Sequence, residues 1–234
     1  METNYISINY GQLALSTVFI LINIVLSLVL RLGLERSLFI ASVRMVLQLL
    51  LVGYVFQWVF TLQNPFLVIL VALGMTTIAG ISSISRTRRR FQSIYWNNFI
   101  SLLSASFLVT GITVSGIIRV HPWYDPQYLI PFFGMVLGNA LTGTSLTLDR
   151  FMEDLTSKRE QVEALLTLGA TRWEAAHQII RDALRIGMTP TINSMMVMGL
   201  VSLPGMMTGQ ILAGANPNDA IRYQIIIIFA LYWC

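Results

Sequence analysis

The side chains able to do chemistry are few and unevenly placed. Met188, Met195, Met196, Met198, Met206 and Met207 crowd one stretch near the C-terminus. Thioethers suit soft ions such as Cu(I) better than the harder Fe or Al, and more often they fill irregular packing space. Pro204-Gly205 lies inside that stretch. Proline removes a helix hydrogen bond and glycine loosens the backbone, so a break in the membrane is expected there. Pro204, Met206 and Met207 are accordingly first candidates for a transport path. Arg44 and Gln48 share a helix face at i and i+4. Arg44 either snorkels to the headgroups from the inner end of its span or lines an inner vestibule beside Gln48. Asn139 follows Gly134-x-x-x-Gly138, a pattern that lets helices approach closely; an interhelical hydrogen bond or pathway lining is its expected role. His121 beside Pro122 reads as polar surface, because a metal site needs several converging donors. The lone Cys234 allows neither an intrachain disulfide nor a cysteine-based metal site. No G-x-x-x-x-G-K-[ST] motif, carboxylate pair or activated nucleophile is visible, so the chain is not expected to be an enzyme by itself or to need a cofactor.

These residues sit in a chain built for lipid. Hydrophobic residues make up 55% of the 234 and charged residues only 11%, against about 25% charged in a soluble domain. Too few charges remain to coat the surface, so the apolar residues must face hydrocarbon. Uncharged runs long enough to span occur at about 10–30, 45–64, 65–85, 97–118, 128–148 and 188–213. A seventh begins after Arg222 and stops at Cys234, too short to cross, and the chain is expected to continue beyond it. Arg31, Glu35 and Arg36 follow the first run without a cleavage pattern, which marks a retained helix. The expected fold is all-α: a polytopic bundle of six to seven spans forming one domain over 1–234.

Loop charges set the expected orientation. With the N-terminus outside, the inner side holds Arg31, Arg36, Arg86, Arg88, Arg89, Arg90, Arg150, Lys158, Arg159, Arg172, Arg181 and Arg185. Arg119 and Arg222 alone fall outside. No Asp or Glu lies in any expected span, which counts against a proton-driven carrier, since those rely on intramembrane carboxylates.

Residues 149–187 form the one sizeable water-soluble stretch. Ser157-x-x-Glu160 and Thr171-x-x-Glu174 both fit a capping box, and Gly169 stands where a first helix would end. Val162, Leu165, Leu166 and Leu168 give that helix an apolar side. Trp173, Ala176, Ile180 and Leu184 recur at helical spacing in the second. Acidic and basic residues alternate here, unlike a basic helix lying on a membrane surface. The pair therefore reads as an elbow that docks a protein partner; no nucleic-acid partner is expected.

Glu163-Ala164, with four residues between Ala164 and Gly169, resembles the start of the EAA motif of ABC-transporter permeases, the coupling helix gripped by the ATPase subunit. Leu165 replaces the second alanine; Ile179 is kept, but Arg181-Asp182 stand where Leu-Pro would follow. The wider stretch is more specific. Gly134–Ala140, Leu168-Gly169-Ala170-Thr171, Ile180-Arg181-Asp182-Ala183 and above all Gly199–Gly209 resemble the FetB-type permeases. That family includes bacterial iron exporters and plant half-transporters linked to aluminium tolerance. The resemblance covers Arg44 to about Gln224. It implies a homodimeric permease driven by a separate ABC ATP-binding subunit, moving a metal ion such as iron outward. It also implies Glu163, Gly169, Arg172 and Glu174 as the coupling residues.

An ATPase-independent secondary carrier and a non-transporting scaffold or regulator remain alternatives. Reporter fusions test the orientation: those after Arg90 and within 152–160 are expected to read cytoplasmic, and those at 121–126 external. The reverse pattern would overturn the charge count.

Overall fold

The computed structural model describes residues 9–62, 64–85 and 94–232. The arginine group Arg86, Arg88, Arg89 and Arg90, and Cys234, lie outside them. The fold is the expected all-α class, with nine α-helices and one π-helical segment among the described residues. Five of its helices are long and apolar enough to cross a membrane. The chain divides at Leu62 into two compact units.

The first unit is α1 (Tyr10–Val29) and α2 (Glu35–Leu62), packed on each other. Ser27 knots their corner. Its carbonyl accepts the Leu32 N–H at 2.9 Å; its hydroxyl accepts the Leu34 N–H at 3.2 Å and donates to Glu35 Oε2 at 3.3 Å. Arg31 and Gly33 turn the chain at φ 51° and 69°. Apart from that corner and the buried Val59, the two helices leave most of their apolar side chains exposed; Phe19 and Tyr54 are 72% and 76% exposed. Lipid or another chain must cover them. Helix α2 starts ten residues before the expected span at 45. Its 28 residues measure about 42 Å, against roughly 30 Å of hydrocarbon. Arg44, exposed and nine residues in, therefore stays within a side chain's reach of the headgroups.

The second unit contains α3 (Pro65–Ser85), α4 (Ile94–Gly111) with its π-helical end (Ile112–Ile118), and α5 (Pro126–Ser157). It continues with α6 (Arg159–Thr167), α7 (Arg172–Val197), α8 (Gly205–Leu212) and α9 (Pro217–Leu231). Helix α5 is the axle, touching α3, α4, α6, α7 and α9. It starts sharply because Asp125 accepts the Gln127 N–H at 2.9 Å and Pro126 occupies the first turn. Phe133 and Leu137 of α5 pack with Ala72, Ala79 and Leu102 on one side; Phe132 and Val136 meet Val109, Val114 and Ile227 on the other. A polar knot adds specificity. Asn98 Nδ2 donates to Ser83 Oγ at 2.6 Å and to the Gly80 carbonyl at 3.1 Å, and Ser145 Oγ donates to the Ser83 carbonyl at 3.1 Å. Three helices are thus joined by uncharged bonds of the kind an apolar medium favours.

Helices α5 and α7 cross at small residues. A Cβ on Gly187 would overlap Thr147 Oγ1 and stand 3.0 Å from the Gly143 carbonyl oxygen. This close approach differs from the one expected at Gly134-x-x-x-Gly138. A Cβ on Gly134 would stand 3.1 Å from the Met75 methyl, and one on Gly138 would meet open space.

Several expected elements are corrected. The sixth span, 188–213, is not one helix: α7 ends at Val197, residues 198–204 turn, and only α8 follows. The turn is made by Gly199 (φ 84°), whose N–H donates to the Ser202 carbonyl at 2.9 Å. The last run begins at Pro217, capped by Asn216, before Arg222 rather than after it. Ser157 caps nothing; it ends α5 and donates to the Asp154 carbonyl at 3.3 Å, while Lys158 precedes α6 without a side-chain cap. The second elbow helix does not stop near 187 but runs on as α7 to Val197.

The crossing predicts a contrast between two glycines. Gly187→Ala should destabilise the detergent-solubilised protein by about 1–3 kcal/mol, since added atoms in a packed contact force shifts. Gly138→Ala, into open space, should be neutral or slightly stabilising in a helix. Thermal unfolding of both variants checks this; equal melting temperatures would show that the crossing is not tight.

Candidate functional site

The elbow is built by two local motifs. At the end of α6, the Gly169 N–H donates to the Leu166 carbonyl (3.1 Å) and the Ala170 N–H to the Leu165 carbonyl (3.0 Å). This is a Schellman motif, and it requires the left-handed φ of 94° that Gly169 adopts. Two residues later the expected capping box closes. The Thr171 N–H and hydroxyl each donate to Glu174 Oε2 at 2.8 Å, and the Glu174 N–H returns to Thr171 Oγ1 at 3.3 Å. Those bonds, the backbone one first, hold the Glu174 carboxyl below the usual carboxylate range. Glu174 therefore shapes the elbow from within.

The other expected coupling residues divide. Glu163 pairs with Arg159 of its own helix at 2.7 Å, in an exposed pair that contributes little. Arg172 is exposed, with no partner among the described residues. Helix α6 buries no residue at all. On α7 the buried stripe is Ala175, Ile179, Ala183 and Gly187, beside the recurring set Trp173, Ala176, Ile180 and Leu184; Trp173 is 63% exposed and Leu168, at the bend, 84%. Sequence reasoning placed both in apolar stripes of the two helices without singling them out, because spacing alone does not say which stripe stays uncovered.

It also missed Asp154. That carboxylate has only 5% of its side chain exposed, yet takes Arg150 Nη2 at 3.1 Å and Lys158 Nζ at 3.5 Å. The Arg-x-x-x-Asp-x-x-x-Lys spacing could have revealed it. The three charges clamp the joint where α5 hands over to α6.

A cavity of about 600 Å³ opens between α5, α7 and the end of α9. Asn139, Thr144 and Thr147 line it from α5, Gly187, Met188 and Thr191 from α7, and Tyr232 follows α9. Among the described residues Asn139 makes no interhelical bond; its Nδ2 donates to the Met135 carbonyl of its own helix at 3.1 Å, and the residue is exposed at the cavity wall. The remaining path candidates are elsewhere. Pro204 precedes α8 as its N-cap, Met206 packs against the Phe132–Val136–Ile227 cluster, and Met207 is half-buried. Arg44 and Gln48 belong to the first unit, where both are exposed.

Known proteins share this chain's sequence over nearly its whole length. "UPF0014 membrane protein YjkA" of Bacillus subtilis is 36% identical over 94% of this chain and 87% of its own. "Protein ALUMINUM SENSITIVE 3" of Arabidopsis thaliana is 35% identical over 92% and 77%. "Probable iron export permease protein FetB" of Escherichia coli is 32% identical over 96% and 85%. No solved structure matches the chain. A single family model accounts for residues 10–234, both helical units included, and the chain belongs to the family it describes, the membrane proteins of the uncharacterised protein family UPF0014.

Proposed function

We propose that this chain is the permease subunit of an ABC transporter. In this reading it works as a homodimer in a bacterial inner membrane, exports a metal ion such as iron, and is driven by a separate ATP-binding subunit. Its N-terminus is outside and residues 149–187 are cytoplasmic, so that 1–234 act as one permease domain. One observation carries the reading. Helix α7 is continuous from the Thr171–Glu174 capping box to the walls of the cavity at Gly187 and Thr191. A force applied at the elbow would reach the cavity through a single helix.

The elbow has the chemistry of a docking surface. Leu168 and Trp173 stand out from it, with Arg172, Glu163 and Glu174 around them. Exposed aromatics ringed by charge are typical anchors of protein interfaces. Gly169 and Glu174 hold the bend, while Arg172 and the anchors meet the ATPase. The absence of a P-loop motif in the sequence leaves ATP to the partner, and the FetB relative's printed name supplies the metal and the direction. The sequence has no carboxylate in its apolar runs, which favours this reading over a secondary carrier. Arg44, Gln48, Pro204, Met206 and Met207 stay as candidate path residues, with Asn139 the one that also lines the cavity.

Two substitutions test the elbow with the co-expressed ATP-binding subunit. Trp173→Ala should weaken association about thirtyfold, the loss of one interface anchor of about 2 kcal/mol. Gly169→Val places a β-branched residue at a left-handed φ. It should leave membrane insertion intact while abolishing the ATPase stimulation produced by the permease. Full stimulation in both variants would remove the elbow as the transmission element and favour a scaffold.

A further inference from the structure

The cavity between α5 and α7 carries an unusual set of oxygens. Helical hydroxyls in this protein are mostly spent on their own backbone: Thr142 donates to the Gly138 carbonyl at 3.0 Å and Thr189 to the Arg185 carbonyl at 2.8 Å. Thr144 and Thr191, two residues along on the same helices, line the cavity instead and have no hydrogen-bond partner among the described residues. Asn139 uses its Nδ2 on Met135, leaving Oδ1 as a free acceptor. Tyr232 adds a half-buried phenol that makes no hydrogen bond among the described residues. No carboxylate, guanidinium, ammonium, imidazole or thiol is among the described lining residues, and the Met188 thioether is the one soft donor there.

This lining sets the class of solute. A volume of about 600 Å³ matches pockets that take small organic molecules and far exceeds a single ion. Uncharged walls cannot replace the hydration of a bare multivalent cation, whose burial without countercharge is prohibitive. Hard cations also seek several anionic or carbonyl oxygens at once, and the described lining side chains include no carboxylate. Hydroxyls and an amide suit the outer surface of a solute that is already neutral and rich in oxygen acceptors.

We propose that this cavity is the solute site and that it takes a metal only as a neutral complex wrapped in oxygen ligands, never as the bare ion. Thr144, Thr191, Tyr232 and the Asn139 amide recognise the outer oxygens of the complex, and the apolar wall of Phe151 and Leu184 covers its carbon skeleton. The inference rests on the metal-export reading above for its metal, but on the cavity alone for its neutrality and oxygen surface.

The test is equilibrium binding to the purified chain in lipid nanodiscs without an ATPase, so a failure of coupling cannot mask it. The probe is gallium(III) tris(maltolate), a neutral, redox-inert complex. Free Mn²⁺ and free maltol serve as comparisons. The complex is expected to bind, Thr191→Val and Asn139→Leu are each expected to weaken it at least tenfold, and Thr191→Ser should restore most of the loss. Mn²⁺ should neither bind nor compete. Maltol binding as tightly as its complex would keep the neutral, oxygen-rich site and remove the metal from the proposed function. Three results would overturn the proposal: no binding of the complex, binding unchanged in both variants, or displacement of the complex by Mn²⁺.

Discussion

In a lipid environment two helices gain little by hiding apolar surface from each other, so a lasting contact must come from close packing and internal hydrogen bonds. In this protein the contact of that kind on which the rest depends is the approach of α5 to α7, where Gly187 lies against Thr147 and the Gly143 carbonyl. It fixes the crossing point of the two helices. On α7, the elbow's capping box at Thr171 lies sixteen residues before Gly187, about 24 Å along the helix. The cavity walls, Asn139 to Phe151 on α5 and Ile180 to Thr191 on α7, flank the same crossing. Elbow and cavity are therefore two ends of one packed pair.

The elbow end of that pair is finished with polar chemistry. Asp154 holds Arg150 and Lys158 at the last turn of α5, which sets the direction in which α6 leaves. A nearly buried carboxylate between two cations is costly to break from one side, so the joint resists bending. Helix α6 then leaves Leu165 and Leu166 exposed and buries no residue fully. Stiff at its root and uncovered on its face, the elbow has the properties of a part that receives force from another protein.

The elbow was the most legible part of the sequence, because a Schellman glycine and a capping box are local rules. Gly169 and Thr171–Glu174 obey them within six residues. Ser157-x-x-Glu160 obeys the same written pattern but fails, since the charge ladder from Arg150 to Lys158 keeps α5 running through Ser157. Hydropathy found the apolar run 188–213 but is blind to chain direction, so Gly199, which turns the chain, went unread behind the more conspicuous Pro204. Asn216-Pro217 held the correct start of α9, yet the charge at Arg222 masked it. Of the cavity's lining, Asn139 alone was singled out as a path residue. Thr144 and Thr191 look like Thr142 and Thr189 in sequence, and only the folded helices separate committed hydroxyls from free ones.

The central claim is that α7 carries motion from the elbow to the cavity. The most direct measurement is the distance between spin labels at 144 and 191, placed in a background with Cys234 replaced, in the complex with its ATP-binding subunit. The account predicts one distance distribution without nucleotide and a shifted one in the vanadate-trapped state, with the shift abolished by Gly169→Val. Identical distributions in the two states, with the ATPase active and bound, would contradict it.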